Sequence, residues 1–410
     1  MEDISFEARV LHTPYEKPDA YNALSMPVYN TAAYEFDTAE AMEAAFCGNT
    51  SDHAYSRITN PTVQYFEDRV RAITGAMSVT ALNSGMAAIC NTLMTIGRAN
   101  ANIVTSPHLF GNTFSLLKNT LAAFGMEARF CDLTNPDEVR ANIDCNTCAL
   151  FLEVITNPQL EVADLKLLSS IGKEAGIPLI ADTTIVPFSV FHGKEYGIDI
   201  EIISSTKYIS GGATSIGGLI LDNGTFDWSH FITLKHWYEQ FGERAFTARL
   251  RKEIHRNLGA YMTPQVAYMQ TLGLETMQVR FDRQGMNCLE LAGRLQALDG
   301  IVSVNYTGLK DNPYYKLSTA QFGKYPGAML TFDLVSREAC FAFMNRLKLI
   351  RRATNLFDNK TLAIHPASTT HSQMSEEELA EAGIRPGTVR LSIGTEHIDD
   401  ILADLEQALK

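Results

Sequence analysis

Short apolar runs and helical segments alternate along the first half of the chain. A helical pattern begins near Pro61, where Val63, Phe66, Val70 and Ile73 recur every three or four residues. Apolar runs of strand length follow at 79–82, 102–105, 127–130, 149–152, 179–181, 200–203 and 218–221. Because strands that alternate with helices form helix-covered parallel sheets, the pattern predicts an α/β fold with a mostly parallel central sheet.

The pattern changes after Asp222. A long, charged and mostly helical stretch leads into short apolar runs and further helices, at 226–298, 302–305, 327–332, 337–348 and 399–409. The first sixty residues are instead rich in proline and typical of loops. We therefore predict an N-terminal arm over 1–60, a large domain over 61–255 and a smaller α+β domain over 256–410.

Composition narrows the class of protein. The chain has 410 residues, 46% of them hydrophobic and 20% charged, as in an ordinary globular enzyme. Its formal net charge of -13 argues against a general nucleic-acid role, since no strong basic field is present to engage phosphates. The acidic N-terminus lacks the apolar core of a signal peptide, and no uncharged apolar stretch approaches the ~20 residues of a membrane span. These features predict a cytoplasmic protein.

The cysteines do not indicate a disulfide framework or a metal site. They are 7 in number, which is odd, and they are scattered along the chain. Cys145 and Cys148 have the spacing of a redox or zinc pair, but no second pair or matching histidine cluster accompanies them. We interpret both as ordinary thiols and predict no bound metal.

A lysine and an aspartate close two successive strand-like runs. Lys207 follows Ser204, Ser205 and Thr206 after one run, and Asp182 ends the run before it. Pyridoxal phosphate needs an amine for its aldehyde, a carboxylate for its ring nitrogen and donors for its phosphate. The alternative for the lysine is a solvated surface residue, and for the aspartate it is a helix cap before two threonines.

A short turn after the first predicted strand suits an anion. Ser84, Gly85 and Met86 open a helix there, and the backbone N–H groups of a helix N-terminus attract phosphate. Such turns are common in α/β proteins, so this signal alone is weak. No glycine fingerprint for a dinucleotide and no Walker-type sequence are present, which disfavours NAD or ATP sites.

Two further side chains are candidates for ligand contact. Phe110 lies in a loop after a predicted strand, where an aromatic ring could stack on a planar cofactor or simply fill the core. Arg390 lies in an otherwise apolar strand, and its planar fork suits a substrate carboxylate or a structural ion pair.

Taken in order, these segments resemble the Cys/Met-metabolism family of pyridoxal-phosphate enzymes. The resemblance covers nearly the whole chain and implies the aspartate-aminotransferase-like fold (PLP fold type I) with pyridoxal 5'-phosphate as cofactor. The motifs that carry it are Tyr55-Ser56-Arg57-Ile58-Thr59-Asn60-Pro61-Thr62, Ser84-Gly85-Met86, Asp182-Thr183-Thr184, Ser204-Ser205-Thr206-Lys207-Tyr208 and Val389-Arg390-Leu391-Ser392.

The resemblance also implies roles for individual residues. Lys207 would hold the cofactor and Asp182 would bind its ring nitrogen, with Asn157 near the phenolic oxygen and Phe110 against the ring. Phosphate binding is implied for Ser84, Gly85, Met86, Ser204 and Thr206. Tyr55 and Arg57 would reach the phosphate of a neighbouring subunit, so the arm would contact that subunit in a dimer, usually doubled to a tetramer. Arg390 would bind the substrate α-carboxylate.

Within the family the chain is most similar to O-acetylhomoserine sulfhydrylases. Thr214-Ser215-Ile216-Gly217-Gly218, Asn355-Leu356-Phe357-Asp358 and His365-Pro366-Ala367-Ser368-Thr369-Thr370-His371 carry this likeness, and Asn355 is a substrate-site candidate. Two departures stand out. Phe110 replaces the tyrosine to which proton transfers are assigned, which leaves Tyr55 as the nearest candidate for that work. The usual glycine–histidine pair after the lysine is Gly211-Gly212 here, which would open the site.

The expected reaction is γ-replacement on O-acetylhomoserine with sulfide or a thiol, giving homocysteine, with Lys207, Tyr55 and Asp182 as catalytic residues. Methionine γ-lyase or cystathionine lyase activity is the alternative within the family. A non-catalytic binding module with the same fold is the alternative from another class.

Overall fold

The computed structural model describes residues 5–13, 19 and 21–410. Its strands fall into two sheets. They are β1 (Ser78–Leu82), β2 (Asn102–Thr105), β3 (Glu127–Phe130), β4 (Thr147–Glu153), β5 (Leu179–Asp182), β6 (Ile200–Ile203), β7 (Gly218–Asp222), β8 (Ser303–Asn305), β9 (Met329–Asp333), β10 (Arg351–Arg352), β11 (Leu362–Ile364) and β12 (Thr388–Ser392).

The larger sheet has the order β1-β7-β6-β5-β4-β2-β3. Strand β2 pairs in parallel with β3 and β4, and β4 pairs in parallel with β5, whereas β1 runs antiparallel to β7. Every strand predicted in the first half of the chain is confirmed, with ends that differ by at most two residues. The predicted α/β class with a mostly parallel central sheet is therefore confirmed.

Helices lie between and after these strands. The α-helices are α1 (Phe6–His12), α2 (Ala39–Cys47), α3 (Pro61–Thr74), α4 (Gly85–Ile96), α5 (Gly111–Ser115), α6 (Pro136–Asn142), α7 (Leu165–Ala175), α8 (Lys235–Phe241), α9 (Ala245–Arg249), α10 (Arg256–Leu258), α11 (Pro264–Glu275), α12 (Met277–Leu295), α13 (Tyr315–Phe322), α14 (Arg337–Arg346), α15 (Glu376–Glu381) and α16 (Ile398–Leu409). Segments of π-helix occupy Leu116–Leu121 and Leu250–His255. Short 3-10 turns occupy Ala122–Phe124, Gly193–Tyr196, Trp228–His230, Gly242–Arg244 and Pro366–Ser368.

The smaller sheet has the order β10-β11-β12-β9-β8. Its pairs are antiparallel except for β10 with β11. The runs predicted at 302–305 and 327–332 correspond to β8 and β9. Strand β12 pairs with β11 on one side and β9 on the other, and every one of its residues, including Arg390, is buried.

Close packing divides the chain into two compact units. One comprises the described residues up to Ile96 with Ile202–Ser210 and Thr214–Glu275, and the other comprises Gly97–Glu201, Gly211–Ala213 and Thr276–Lys410. The domain boundaries predicted after residues 60 and 255 stay a prediction. Residues 1–4, 14–18 and 20 of the predicted arm lie outside the described residues.

Helix α3 shows how local sequence forms the first unit. Asn60 accepts hydrogen bonds from two N–H groups of the first turn, and Pro61 follows at the position where a missing N–H costs nothing. Gly75 ends the helix with a left-handed φ of 69°. The predicted apolar stripe is buried, and it packs on β1 and α11.

In the described part of the chain, no helix combines the length and the apolarity that crossing a membrane requires. The seven cysteines all fall within the described residues and are free thiols. Cys145 is exposed and Cys148 is buried.

Candidate functional site

The lysine lies in a tight turn that leaves the end of buried strand β6. Lys207 donates its backbone N–H to the carbonyl of Ser204 at 3.1 Å, and Ser210 donates to Ser205 at 3.0 Å. The side chain of Lys207 is partly buried. The amine of a lysine is the group that condenses with an aldehyde.

The predicted phosphate turn lies beside this loop in the same unit. Helix α4 begins at Gly85, and the hydroxyl of Ser84 accepts the N–H of Ala87 at 3.0 Å. A Cβ at Gly85 would lie 2.8 Å from the Cβ of Ser204, and a Cβ at Gly218 would overlap the carbonyl oxygen of Ser84. Because Gly85 and Gly218 have no side chain, the start of helix α4 can pack closely against Ser204 and against the start of β7. The helix N-terminus and the hydroxyls beside it therefore fit a bound phosphate.

The hydroxyl group of Thr206, which was predicted to contact phosphate, makes hydrogen bonds to the main chain of Gly217. Its hydroxyl accepts the N–H of Gly217 at 3.0 Å and lies 3.2 Å from the carbonyl oxygen of the same residue. The side chain thereby ties the lysine turn to the start of β7. Its contact with phosphate stays a prediction.

Gly85→Ala is expected to lower the free energy of unfolding by about 1–3 kcal/mol, because the added methyl group overlaps Ser204 in a packed turn. The matched control is Gly293→Ala inside α12, where an added Cβ meets nothing within 4 Å. That control should raise stability by about 0.5–1 kcal/mol, because alanine favours a helix interior over glycine. Urea unfolding of both variants checks the prediction. Equal effects at the two glycines would contradict it.

Tyr55 and Arg57 lie on the exposed part of the first unit. The ring of Tyr55 is 39% exposed, and the guanidinium carbon of Arg57 lies 5.4 Å from its centre. Arg57 also donates a hydrogen bond to the carbonyl of Arg256. The contact of this pair with a neighbouring subunit's phosphate stays a prediction.

The aspartate lies in the second unit beside another carboxyl group. Asp182 ends β5 and is in register with Glu153 at the end of parallel strand β4. Asp182 accepts the N–H of Thr184 at 2.9 Å and begins a turn there, not the helix that the capping alternative required. Burial and the charge of Asp182 raise the pKa of Glu153 well above its usual range.

Glu153 also reaches two other predicted site residues. One of its carboxyl oxygens accepts the N–H of Phe110 at 2.6 Å, and the other accepts the N–H of Asn157 at 3.2 Å. Glu153, at the end of strand β4, was not among the residues selected from the sequence. Its position beside an aspartate at a neighbouring strand end was the available signal.

Arg390 lies in the second unit, and its guanidinium group donates hydrogen bonds to two asparagines. One terminal nitrogen donates to the side-chain oxygen of Asn157 at 2.9 Å, and the other donates to the carbonyl of Asn355 at 3.3 Å. Its Nε is buried and has no hydrogen-bond partner among the described residues. Burial lowers the pKa of Arg390 to about 9.

The structural ion pair weighed as the alternative for Arg390 is not seen. Among the residues that the structure describes, no carboxylate lies within salt-bridge distance of this guanidinium. A buried arginine without a carboxylate is costly, because its charge has lost water without gaining a counter-ion. An incoming carboxylate would remove that cost.

Phe110 packs against His371, which ends one of the motifs of the resemblance but received no role from the sequence. The rings of Phe110 and His371 meet edge to face with centres 6.4 Å apart. Burial lowers the pKa of His371 to about 4, so the ring is neutral at neutral pH. The opening of the site by Gly211-Gly212 stays a prediction, and at Gly211 itself the guanidinium of Arg280 lies where a Cβ would be.

The predicted site residues thus fall into two groups. The first unit contains Tyr55, Arg57, Ser84, Gly85, Met86, Ser204, Thr206 and Lys207. The second unit contains Phe110, Asn157, Asp182, Asn355 and Arg390. A turn fitted to phosphate beside a partly buried lysine, in a fold with a mostly parallel sheet, defines the class of pyridoxal-phosphate enzymes.

Known proteins agree with this class. The family model for Cys/Met metabolism PLP-dependent enzymes matches residues 7–410. O-acetyl-L-homoserine sulfhydrylase 1 of Thermus thermophilus is 38% identical to the chain and covers 98% of it and 99% of its own length. A solved structure of O-acetylhomoserine sulfhydrylase from Wolinella succinogenes is 44% identical with a TM-score of 0.78, covering 87% of this chain and 99% of that one.

A Campylobacter jejuni structure that carries N'-pyridoxyl-lysine-5'-monophosphate superposes with a TM-score of 0.95 at 33% identity, over 99% of this chain and 100% of that one. The chain therefore belongs to the Cys/Met metabolism family of PLP-dependent enzymes, and its cofactor is pyridoxal 5'-phosphate. The resemblance stated from the sequence and the predicted fold are both confirmed.

Proposed function

We propose that the protein replaces the acetoxy group of O-acetylhomoserine with sulfide or a thiol. With sulfide, the Cγ–O bond breaks, a Cγ–S bond forms, and the products are homocysteine and acetate. The observation that carries the proposal is the buried fork of Arg390, held by Asn157 and Asn355 without a carboxylate partner. It occurs in a chain similar over nearly its full length to an O-acetyl-L-homoserine sulfhydrylase.

The cofactor, when bound, supplies an aldehyde for the substrate amine and a ring that withdraws electrons from Cα. Lys207 would hold it covalently, and the carboxylate of Asp182 would keep the ring nitrogen protonated. The turn at Ser84, Gly85 and Met86, with the hydroxyls of Ser204 and Thr206, would hold the phosphate. Phe110 would stack on the ring.

The chain's own residues then orient the substrate and move protons. Arg390, with Asn355 beside it, would fix the α-carboxylate through a planar two-point contact. The free amine of Lys207 would carry protons between Cα and Cβ of the substrate. Phe110 has no hydroxyl group that could take part in these proton transfers. We assign that part to the hydroxyl group of Tyr55 from a neighbouring subunit.

That assignment requires an assembly of at least two chains. We propose a dimer in which Tyr55 and Arg57 complete the phosphate site of the partner, doubled to a tetramer. The exposure of Tyr55 (39%) and its contact with Arg57 support the proposal, because both side chains lie where a second chain can reach them. The cytoplasmic location stays a prediction from the sequence.

The reaction itself is tested with purified protein, pyridoxal phosphate, O-acetylhomoserine and sulfide. Homocysteine and acetate should form in equal amounts. Formation of 2-oxobutyrate and ammonia in place of homocysteine would instead show γ-elimination, the activity of the lyase alternative. A protein that binds no pyridoxal phosphate and gives neither product would be a non-catalytic binding module. Omission of sulfide serves as the control, because replacement needs it and elimination does not.

A further inference from the structure

We propose that Glu153 is a positioning residue that sets the main chain at Phe110 and Asn157, and through Asn157 the fork of Arg390. The inference rests on the proposed function for the roles of those three residues. Glu153 itself touches neither substrate nor cofactor in this proposal, so it is not a catalytic residue.

The contacts of Glu153 form a continuous chain within the second unit. Its carboxyl oxygens accept the N–H of Phe110 at 2.6 Å and the N–H of Asn157 at 3.2 Å. The side-chain oxygen of Asn157 in turn accepts from Arg390 at 2.9 Å. A single carboxyl group therefore links the proposed ring-stacking residue to the proposed carboxylate-binding residue.

Helix α5, which begins directly after Phe110, is closely packed at its first residue. A Cβ at Gly111 would overlap the carbonyl oxygen of Thr370 and would lie 3.2 Å from the ring of His371. Glu153 is 7% exposed at the end of strand β4, so its own backbone is fixed by the sheet. The main chain at Phe110 is thus held from two sides, by the carboxyl group of Glu153 and by the packing at Gly111.

The charge of Glu153 fits this role. The charged group that faces it is Asp182 on β5, whereas its partners Phe110 and Asn157 are uncharged. Burial first, and the charge of Asp182 second, raise the pKa of Glu153 well above its usual range, which favours the neutral form. Loss of the negative charge at position 153 should therefore matter less than loss of the acceptor oxygens that the N–H groups of Phe110 and Asn157 use.

The test compares Glu153→Gln and Glu153→Asp with the unsubstituted protein. Glutamine keeps the length and one acceptor oxygen, but its NH2 group cannot accept the second N–H, so one of the two contacts remains. Aspartate is one methylene shorter, which withdraws both oxygens from the N–H groups of Phe110 and Asn157, and two N–H groups without an acceptor cost more than one. Glu127→Gln on β3 is the matched control, since this strand glutamate is 62% exposed and pairs only with Arg129 among the described residues.

Each variant is stripped of cofactor and titrated with pyridoxal phosphate, and the Km values for O-acetylhomoserine and for sulfide are then measured separately. For Glu153→Asp we expect cofactor affinity to fall about tenfold and the Km for O-acetylhomoserine to rise about tenfold. The Km for sulfide should not change, because sulfide has no carboxylate for Arg390. Glu153→Gln should lose less, about threefold, because one of the two contacts remains, and Glu127→Gln should stay within about twofold of the parent.

A change below threefold in both cofactor affinity and Km for Glu153→Asp would overturn the proposal. So would a loss in Glu153→Gln as large as in Glu153→Asp. If Glu153→Asp does not fold, Glu153→Gln decides alone, since a cofactor affinity equal to that of Glu127→Gln would contradict the positioning role. Absence of homocysteine from the unsubstituted protein would overturn the proposed reaction only, because the cofactor titration does not depend on turnover.

Discussion

Lys207→Ala is expected to reduce homocysteine formation by about a thousandfold or more and to abolish the covalently held, visibly absorbing cofactor. The variant loses both the amine that would anchor the cofactor and the base that would move protons on the substrate. Positioned general acid–base groups alone contribute about a hundredfold to ten-thousandfold. The turn around Lys207 is formed by backbone hydrogen bonds, so the fold should survive the change.

Initial rates and the visible absorption spectrum of the same samples check this prediction. Lys207→Arg should behave like the alanine variant, because a guanidinium keeps the charge but does not condense with an aldehyde at neutral pH. Lys235→Ala in α8 is the matched control, since this exposed lysine lies in the same unit. An alanine variant at 207 that keeps more than a tenth of the parent rate would contradict the account.

Arg390→Leu is expected to lower kcat/KM for O-acetylhomoserine by on the order of a hundredfold to a thousandfold. Loss of one partner of a buried charge pair costs about 3–5 kcal/mol, and the substrate carboxylate would be that partner. Arg390→Lys should lose less, about tenfold, because it keeps the charge without the planar two-point contact. The loss should appear mainly as a higher Km for O-acetylhomoserine, and the amount of bound cofactor should not change.

Arg385→Lys and Arg385→Leu provide matched controls for both substitutions. Arg385 is an exposed arginine five positions earlier, and it pairs with Asp333 at 2.9 Å. Both variants should change kcat/KM by less than twofold, because neither Arg385 nor Asp333 is a proposed contact of the substrate or the cofactor. Steady-state kinetics over a range of O-acetylhomoserine concentrations measure all four variants. Equal effects at 385 and 390 would contradict a specific carboxylate site.

Strand positions in the larger sheet could be predicted closely from sequence. Strand β6 runs over Ile200–Ile203, as its apolar run predicted, and β4 extends the run at 149–152 to Thr147–Glu153. Such strands are covered on both faces, so nearly every residue is apolar and the run marks the strand. Lys207 and Asp182 were found for the same reason, since each follows or ends such a run.

Other features depended on contacts between distant residues. The pairing of Glu153 with Asp182 requires the register of two strands, and its hydrogen bond to Phe110 spans 43 positions. The short strands β10 and β11 were not predicted, because runs of two or three residues carry little periodicity. The occupation of space beside Gly211 by Arg280 likewise follows from packing alone.

The central claim is that Lys207 holds pyridoxal phosphate covalently. Borohydride reduction of the purified protein, followed by proteolysis and peptide mass analysis, tests it most directly, because reduction makes the link permanent. The account predicts one pyridoxyl phosphate adduct, on the peptide that contains Lys207 and on that residue. An adduct on another lysine, or cofactor released with Lys207 unmodified, would contradict the account.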